Sequence, residues 1–166
     1  MGDKEIIEEI RKKAKELLKS KQVDLVIGYK RASDGISAMP CFINHEDEAE
    51  QLIWDAYCVY NLANYLKDFS GKKIAILAKP CDVKSIAVLL QENQLKRDNL
   101  FILGLKCQGV IDQKSFNFSD KQSPQAVTLS AKCKICKTPV PLVYDMLFED
   151  KVQKEKVKLH NNGKMR

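Results

Sequence analysis

The chain has 166 residues, 45% of them hydrophobic and 30% charged, with six cysteines and a formal charge of +6. That length suffices for one core burying about two-thirds of the unfolded surface, and no apolar run approaches the roughly 20 residues that cross a bilayer, so membrane insertion is not expected. Nor is a nucleic-acid groove: five lysines and one arginine beyond position 150 face Glu155 alone, which leaves +5 there and +1 over residues 1–150.

The opening residues, Met1-Gly-Asp-Lys-Glu-Ile6, carry mixed charge where a secretory signal would place a basic and then an apolar stretch, so a cytoplasmic location is expected. From Asp3 to Lys21, Ile6, Ile7, Ile10, Ala14, Leu17 and Leu18 recur at helical spacing and predict an amphipathic helix. Gln22 to Gly28 is a β-branched run closed by glycine and predicts a buried strand. Tyr29 to Gly35 is turn-rich, and Ala38 to Ile43 predicts a short edge strand, because Pro40 has no amide to give a central ladder. The acidic run Glu46 to Glu50 suits a helix start, and helical character is expected to continue to Leu66 with a break near Asp55.

Beyond Ser70-Gly71 the pattern becomes regular. Lys73–Ala78 predicts a strand, Asp82–Asn93 a helix with Val83, Ile86, Ala87 and Leu90 on one face, and Leu100–Leu105 a second strand. Strand, helix and strand in this order make a βαβ unit, whose crossover forces the two strands to be parallel. A polar stretch from Gln113 to Pro124 leads to a third candidate strand, Ala126–Leu129, and Pro141–Glu149 predicts a last helix. The fold class is therefore α/β: a mostly parallel sheet flanked by helices, with a small hairpin-like insertion near residues 29–43. The expected organisation is one domain over 1–150 and a basic, flexible tail over 151–166.

Cysteines without an export signal favour metal binding or catalysis over structural disulfides. Cys81 follows the first strand of the βαβ unit and Cys107 the second. Strand ends about 4.8 Å apart bring two such thiols to a common point. Cys133 and Cys136 form a C-x-x-C pair after the third candidate strand. If that strand joins in parallel, four thiols converge at the sheet edge where open α/β folds place their ligands. An all-thiolate set suits zinc or an iron-sulfur cluster, and the spacing does not choose between them. The alternatives are that Cys81 and Cys107 are inert buried residues, or that Cys133 and Cys136 form a redox dithiol.

Cys58 is a fifth thiol near the expected break, either an additional ligand or a core residue, and Cys41 is packing inside a strand. Asp82 invites a catalytic role because it follows Cys81 at the sheet edge, but an aspartate in the first turn of a helix reads rather as its cap. Lys79 and Lys106 precede cysteines, as positive charges beside an anionic centre or as solvated side chains. No G-x-G-x-x-G or GK[ST] string supports a nucleotide-binding fold.

Three segments, Lys72-Lys-Ile-Ala-Ile-Leu-Ala-Lys-Pro-Cys-Asp-Val-Lys-Ser-Ile86, Asn93-Gln-Leu-Lys-Arg-Asp-Asn-Leu-Phe-Ile-Leu-Gly-Leu-Lys-Cys107 and Lys132-Cys-Lys-Ile-Cys-Lys-Thr-Pro-Val-Pro141, resemble the coenzyme F420 hydrogenase/dehydrogenase beta-subunit family. Val23–Tyr29 and Cys58–Leu62 extend the resemblance over most of residues 20–148. Members of that family are iron-sulfur flavoproteins passing electrons to a hydrogenase, dehydrogenase or heterodisulfide-reductase-like partner. The resemblance thus implies an iron-sulfur cluster, of the [4Fe-4S] type, on Cys81, Cys107, Cys133 and Cys136, with Cys58 as a further candidate and FAD as a second cofactor. Zinc is the alternative metal, in a zinc-stapled α/β interaction module without catalytic activity. Larger relatives carry a ferredoxin-like segment rich in cysteines that this sequence does not show. The implied role is a short-form electron-transfer subunit within a larger redox complex, not a complete enzyme.

Overall fold

In the computed structural model, which describes residues 2–115 and 128–149, the predicted βαβ unit lies at the centre of a five-stranded sheet. Helix α1 (Gly2–Lys19) precedes strands β1 (Leu25–Arg31) and β2 (Ala38–Ile43). Strand β3 (Ile74–Ala78), helix α2 (Pro80–Gln91) and β4 (Leu100–Leu105) form the unit itself. A short helix α3 (Ala131–Lys134) and strand β5 (Met146–Phe148) complete the described elements. The strand order is β2-β1-β3-β4-β5, with only the β1–β2 pair antiparallel.

Why these elements form follows from which residues they bury. All five residues of β3 are buried, as an inner strand covered on both faces requires. The face of α1 carrying Ile6, Ile10, Ala14 and Leu17 is buried in the same core as β1, β3 and β4. The hairpin places Pro40 opposite Tyr29 on the edge strand, as expected. Gly28 does not end β1 but lies in its middle. A Cβ there would meet Leu52 Cδ2 at 2.5 Å and Leu77 Cδ1 at 2.9 Å, so the glycine admits two core leucines.

Three expectations are corrected. The helix expected from Glu46 to Leu66 is two separate 3-10 segments, Glu46–Gln51 and Leu62–Phe69. The chain between them spends its amides elsewhere: Ile53 N donates to Tyr29 O at 2.9 Å, and Tyr57 N to the Asp55 carboxylate at 2.8 Å. Such local and tertiary bonds compete with the helical ladder.

The third parallel strand expected at Ala126–Leu129 is also absent from the sheet. Leu129 makes an isolated antiparallel bridge to Ile111, while Ala126 and Val127 lie outside the described residues. The place beside β4 belongs to β5, from the segment expected to be the last helix. Asp145 fixes that outcome, because its amide donates to Ile102 O at 2.9 Å and its carboxylate accepts from Ile102 N at 2.7 Å and from Arg97 at 2.9 Å. Residues 116–124 of the polar stretch and the tail over 151–166 lie outside the described residues.

Candidate metal centre

Cys81 is the second residue of α2, so it sits within the first helical turn and not ahead of it. Pro80 opens that helix, where the missing amide costs nothing, and Asp82 caps it by accepting Lys79 N at 2.8 Å. Cys107 lies two residues past β4, its amide donating to Pro139 O at 2.8 Å. That bond ties the loop after β4 to the segment just beyond Cys136.

Cys133 and Cys136 come from α3 and the turn after it. Helix α3 starts at Ser130, whose carbonyl accepts from the amides of Cys133 and Lys134 at 2.9 and 3.2 Å. The C-x-x-C pair therefore reaches the site by a helix held through Ser130 N to Val110 O at 2.9 Å, not by a strand of the sheet. All four cysteines nevertheless line one pocket of about 610 Å³, together with Pro80, Gly109, Val110, Lys132, Thr138 and Pro139. Cys58 and Cys41 are not among its lining residues. Both are buried in the hydrophobic core.

The backbone turns toward the sulfurs at Gly109. Its amide donates to Cys107 Sγ and that of Val110 to Cys133 Sγ, each at 3.4 Å. Gly109 adopts φ +112°, which favours glycine. A Cβ there would stand 3.0 Å from Leu129 and 3.3 Å from Cys133 Cβ. No residue of this turn announced two sulfur-directed amides in the sequence beyond the glycine itself.

The four thiols differ electrostatically. Burial raises the pKa of Cys81 and of Cys107 above the ordinary thiol value, and for Cys107 the neighbouring Cys81 and Cys133 add to the rise. Cys136 is exposed at the rim, and hydrogen bonding with Thr138 lowers its pKa. Burial pushes the Cys58 thiol up to about 12. Among the described residues, no group of three or more Cys, His, Asp or Glu side chains is gathered tightly enough to hold a metal ion.

Beneath the pocket lies a buried polar network that the sequence did not signal. Lys79, half-expected to be solvated, is 1% exposed. Its ammonium donates to the Tyr29 hydroxyl, to Tyr60 O at 2.8 Å and to Asp82 Oδ2 at 3.0 Å. The Tyr29 hydroxyl in turn donates to Tyr60 O. Burial is the largest cause of the upward pKa shifts of both Asp82 and Tyr29, which opposes Lys79 at Asp82 and acts with the nearby Asp82, Cys58, Cys81 and Cys107 at Tyr29. Asp82 Oδ1 is buried without a hydrogen-bond partner among the described residues, although the Leu62 amide stands near the carboxylate. The network joins β1, the Cys58 loop and the Cys81 helix at the carboxyl edge of the sheet.

No protein-family model matches the chain. It is 38% identical over 102 residues to the F420-dependent formate dehydrogenase subunit beta of Methanocaldococcus jannaschii, a match covering 58% of this chain and 26% of that protein. It is 30% identical over 106 residues to F420-dependent formate dehydrogenase 1 subunit beta of Methanococcus maripaludis, covering 61% of this chain and 27% of the relative. The chain thus matches about a quarter of the length of these relatives. Among solved structures, a chain of the F420-reducing [NiFe] hydrogenase complex from Methanosarcina barkeri superposes with a TM-score of 0.54 over 68% of this chain and 44% of the other. At 16% identity that likeness concerns the fold. The similarity to coenzyme F420 hydrogenase/dehydrogenase beta subunits is borne out, as is the α/β fold class with its mostly parallel sheet.

Proposed function

We propose that this beta-subunit-like chain is an electron-transfer component of a larger F420-linked oxidoreductase, and that Cys81, Cys107, Cys133 and Cys136 hold an iron-sulfur cluster of the [4Fe-4S] type. The observation carrying the proposal is that four thiols from three separate segments line one pocket at the carboxyl edge of the parallel sheet. An all-cysteine donor set is what such clusters take. Zinc would take the same four thiolates; a redox centre suits a chain similar to beta subunits of F420-dependent formate dehydrogenases.

Bound there, a cluster would supply storage of one electron at a potential set by nearby charges and hydrogen bonds. Burial disfavours the thiolates of Cys81 and Cys107; against it, the Gly109 and Val110 amides donate to the sulfurs of Cys107 and Cys133, and Cys81 stands in the amino-terminal turn of α2. The partners proposed are the other redox subunits of such a complex, by analogy with the formate dehydrogenase relatives.

Anaerobic purification tests this directly, with iron, acid-labile sulfide, zinc and flavin quantified on one sample. The expected result is a brown protein with iron and sulfide in equal amounts and visible absorption that bleaches with dithionite. A colourless protein with one zinc per chain would instead identify a zinc-stapled module. Flavin in the same assay decides whether FAD is a second cofactor.

A further inference from the structure

We infer that the face around the thiol pocket is a docking surface for an acidic electron-carrier protein. The inference rests on the reading of that pocket as a redox centre and adds the surface through which it is reached. Segments 79–84, 105–111 and 128–144 carry the four cysteines, and their outward charge is predominantly positive. Lys84, Lys132 and Lys137 line the pocket, while Lys106 and Lys134 adjoin Cys107 and Cys133 in sequence. Asp82, the carboxylate within these segments, is fully buried against Lys79, and of the two that border them Asp145 is paired with Arg97 while Asp112 is half-buried where the second segment meets the third. Among the described residues, none of these five exposed or half-exposed lysines has an ion-pair partner.

Lysines at such a rim would also arise if they only balanced the thiolates. A second observation separates the two explanations: Ile135, between Cys133 and Cys136, is 79% exposed. Balancing thiolate charge places no demand on that side chain. Ile135 lines the same pocket as Lys132 and Lys137, and Leu129, in the same segment, is also exposed; apolar side chains bordered by charge are the arrangement of an interface, with a dry centre and a polar border. Cys81 and Cys136 are both exposed, so the pocket opens on this same face. A carrier presenting carboxylates would be steered to the lysines, and a basic one repelled. In the docked pair one electron leaves one centre and enters the other, with no bond made or broken.

The test is binding of the full, anaerobically purified chain to a small acidic ferredoxin, with basic cytochrome c, duplex DNA and anionic phospholipid vesicles as competing probes. Ferredoxin is expected to bind at about 20 mM salt and to weaken about tenfold by about 200 mM. The double variant Lys132→Glu/Lys137→Glu should abolish binding, and Ile135→Ser should weaken it about fivefold. Lys12→Glu, on the exposed side of α1, should leave it unchanged. Circular dichroism and iron, sulfide and zinc contents are recorded on every sample. Native affinity in either pocket-face variant with unaltered dichroism, no ferredoxin binding by the folded wild type, or tighter binding to any competing probe overturns the inference. Lysine-dependent ferredoxin binding by a chain free of iron would uphold the docking surface while sinking the cluster.

Discussion

Lys79 carries a buried charge whose three donors are all engaged, by Tyr29, the Tyr60 carbonyl and Asp82. Its side chain is 2% exposed and that of Asp82 fully buried. Removing one partner of such a pair strands the other in a low-dielectric site, at a cost of about 3–5 kcal/mol. Lys79→Met should therefore destabilise strongly, and the double change Lys79→Met/Asp82→Leu should cost less than the sum of its parts, as denaturant melts would show. Additive losses would mean that the two groups act independently. The buried thiol of Cys58 makes a separate prediction. Its pKa lies at about 12 in the fold against an ordinary 9.0, so its contribution to stability is complete below pH 9 and is lost as pH rises toward 12. Cys58→Ala should cost about 1–2 kcal/mol at neutral pH, yet lose less stability than the wild type between pH 8 and about 10.5. Equal alkaline losses in the two proteins would contradict the burial of this thiol.

Strand β5 is three residues long, and its register depends on contacts at its amino-terminal end. Asp145 exchanges two hydrogen bonds with the Ile102 backbone and pairs with Arg97. Asp145→Ala should cost about 1–3 kcal/mol by leaving the Ile102 amide unpaired, and hydrogen exchange at that amide should accelerate more than at β3 amides. Unchanged protection at Ile102 would show that β5 is held by its apolar contacts alone. The same residue explains which elements were legible. Strands β3 and β4 and helix α2 are encoded by their own apolar periods, so local pattern and global fold agree. Residues 141–149 contain enough apolar spacing to resemble a helix, but the Asp145 contacts to Ile102 and Arg97, distant in sequence, decide otherwise. The segment 52–61 is similar: its amides go to Tyr29 and Asp55, partners that periodicity cannot register.

At the scale of the molecule, parallel pairing brings the carboxyl ends of β1, β3, β4 and β5 to one edge, and the thiol pocket lies there. Cys81 and Cys107 were legible because each follows a strand of the βαβ unit directly. Cys133 and Cys136 line the same pocket, but α3 and the Ser130–Val110 bond deliver the pair, not the third candidate strand on which the expectation rested. The Lys79 bonds to Tyr29 and Tyr60 and the Val110 bond to Cys133 stayed hidden, because they join segments far apart in sequence. The central claim is that the four pocket cysteines act as one ligand set while the two core cysteines do not. Iron and sulfide content across single cysteine-to-serine variants, purified without oxygen, tests it most directly. About four irons and four sulfides per chain are expected in the wild type and in Cys41→Ser, with most of that content lost in Cys81→Ser, Cys107→Ser, Cys133→Ser and Cys136→Ser. Iron absent from the wild type, or retained in full when any of those four is replaced, would contradict it.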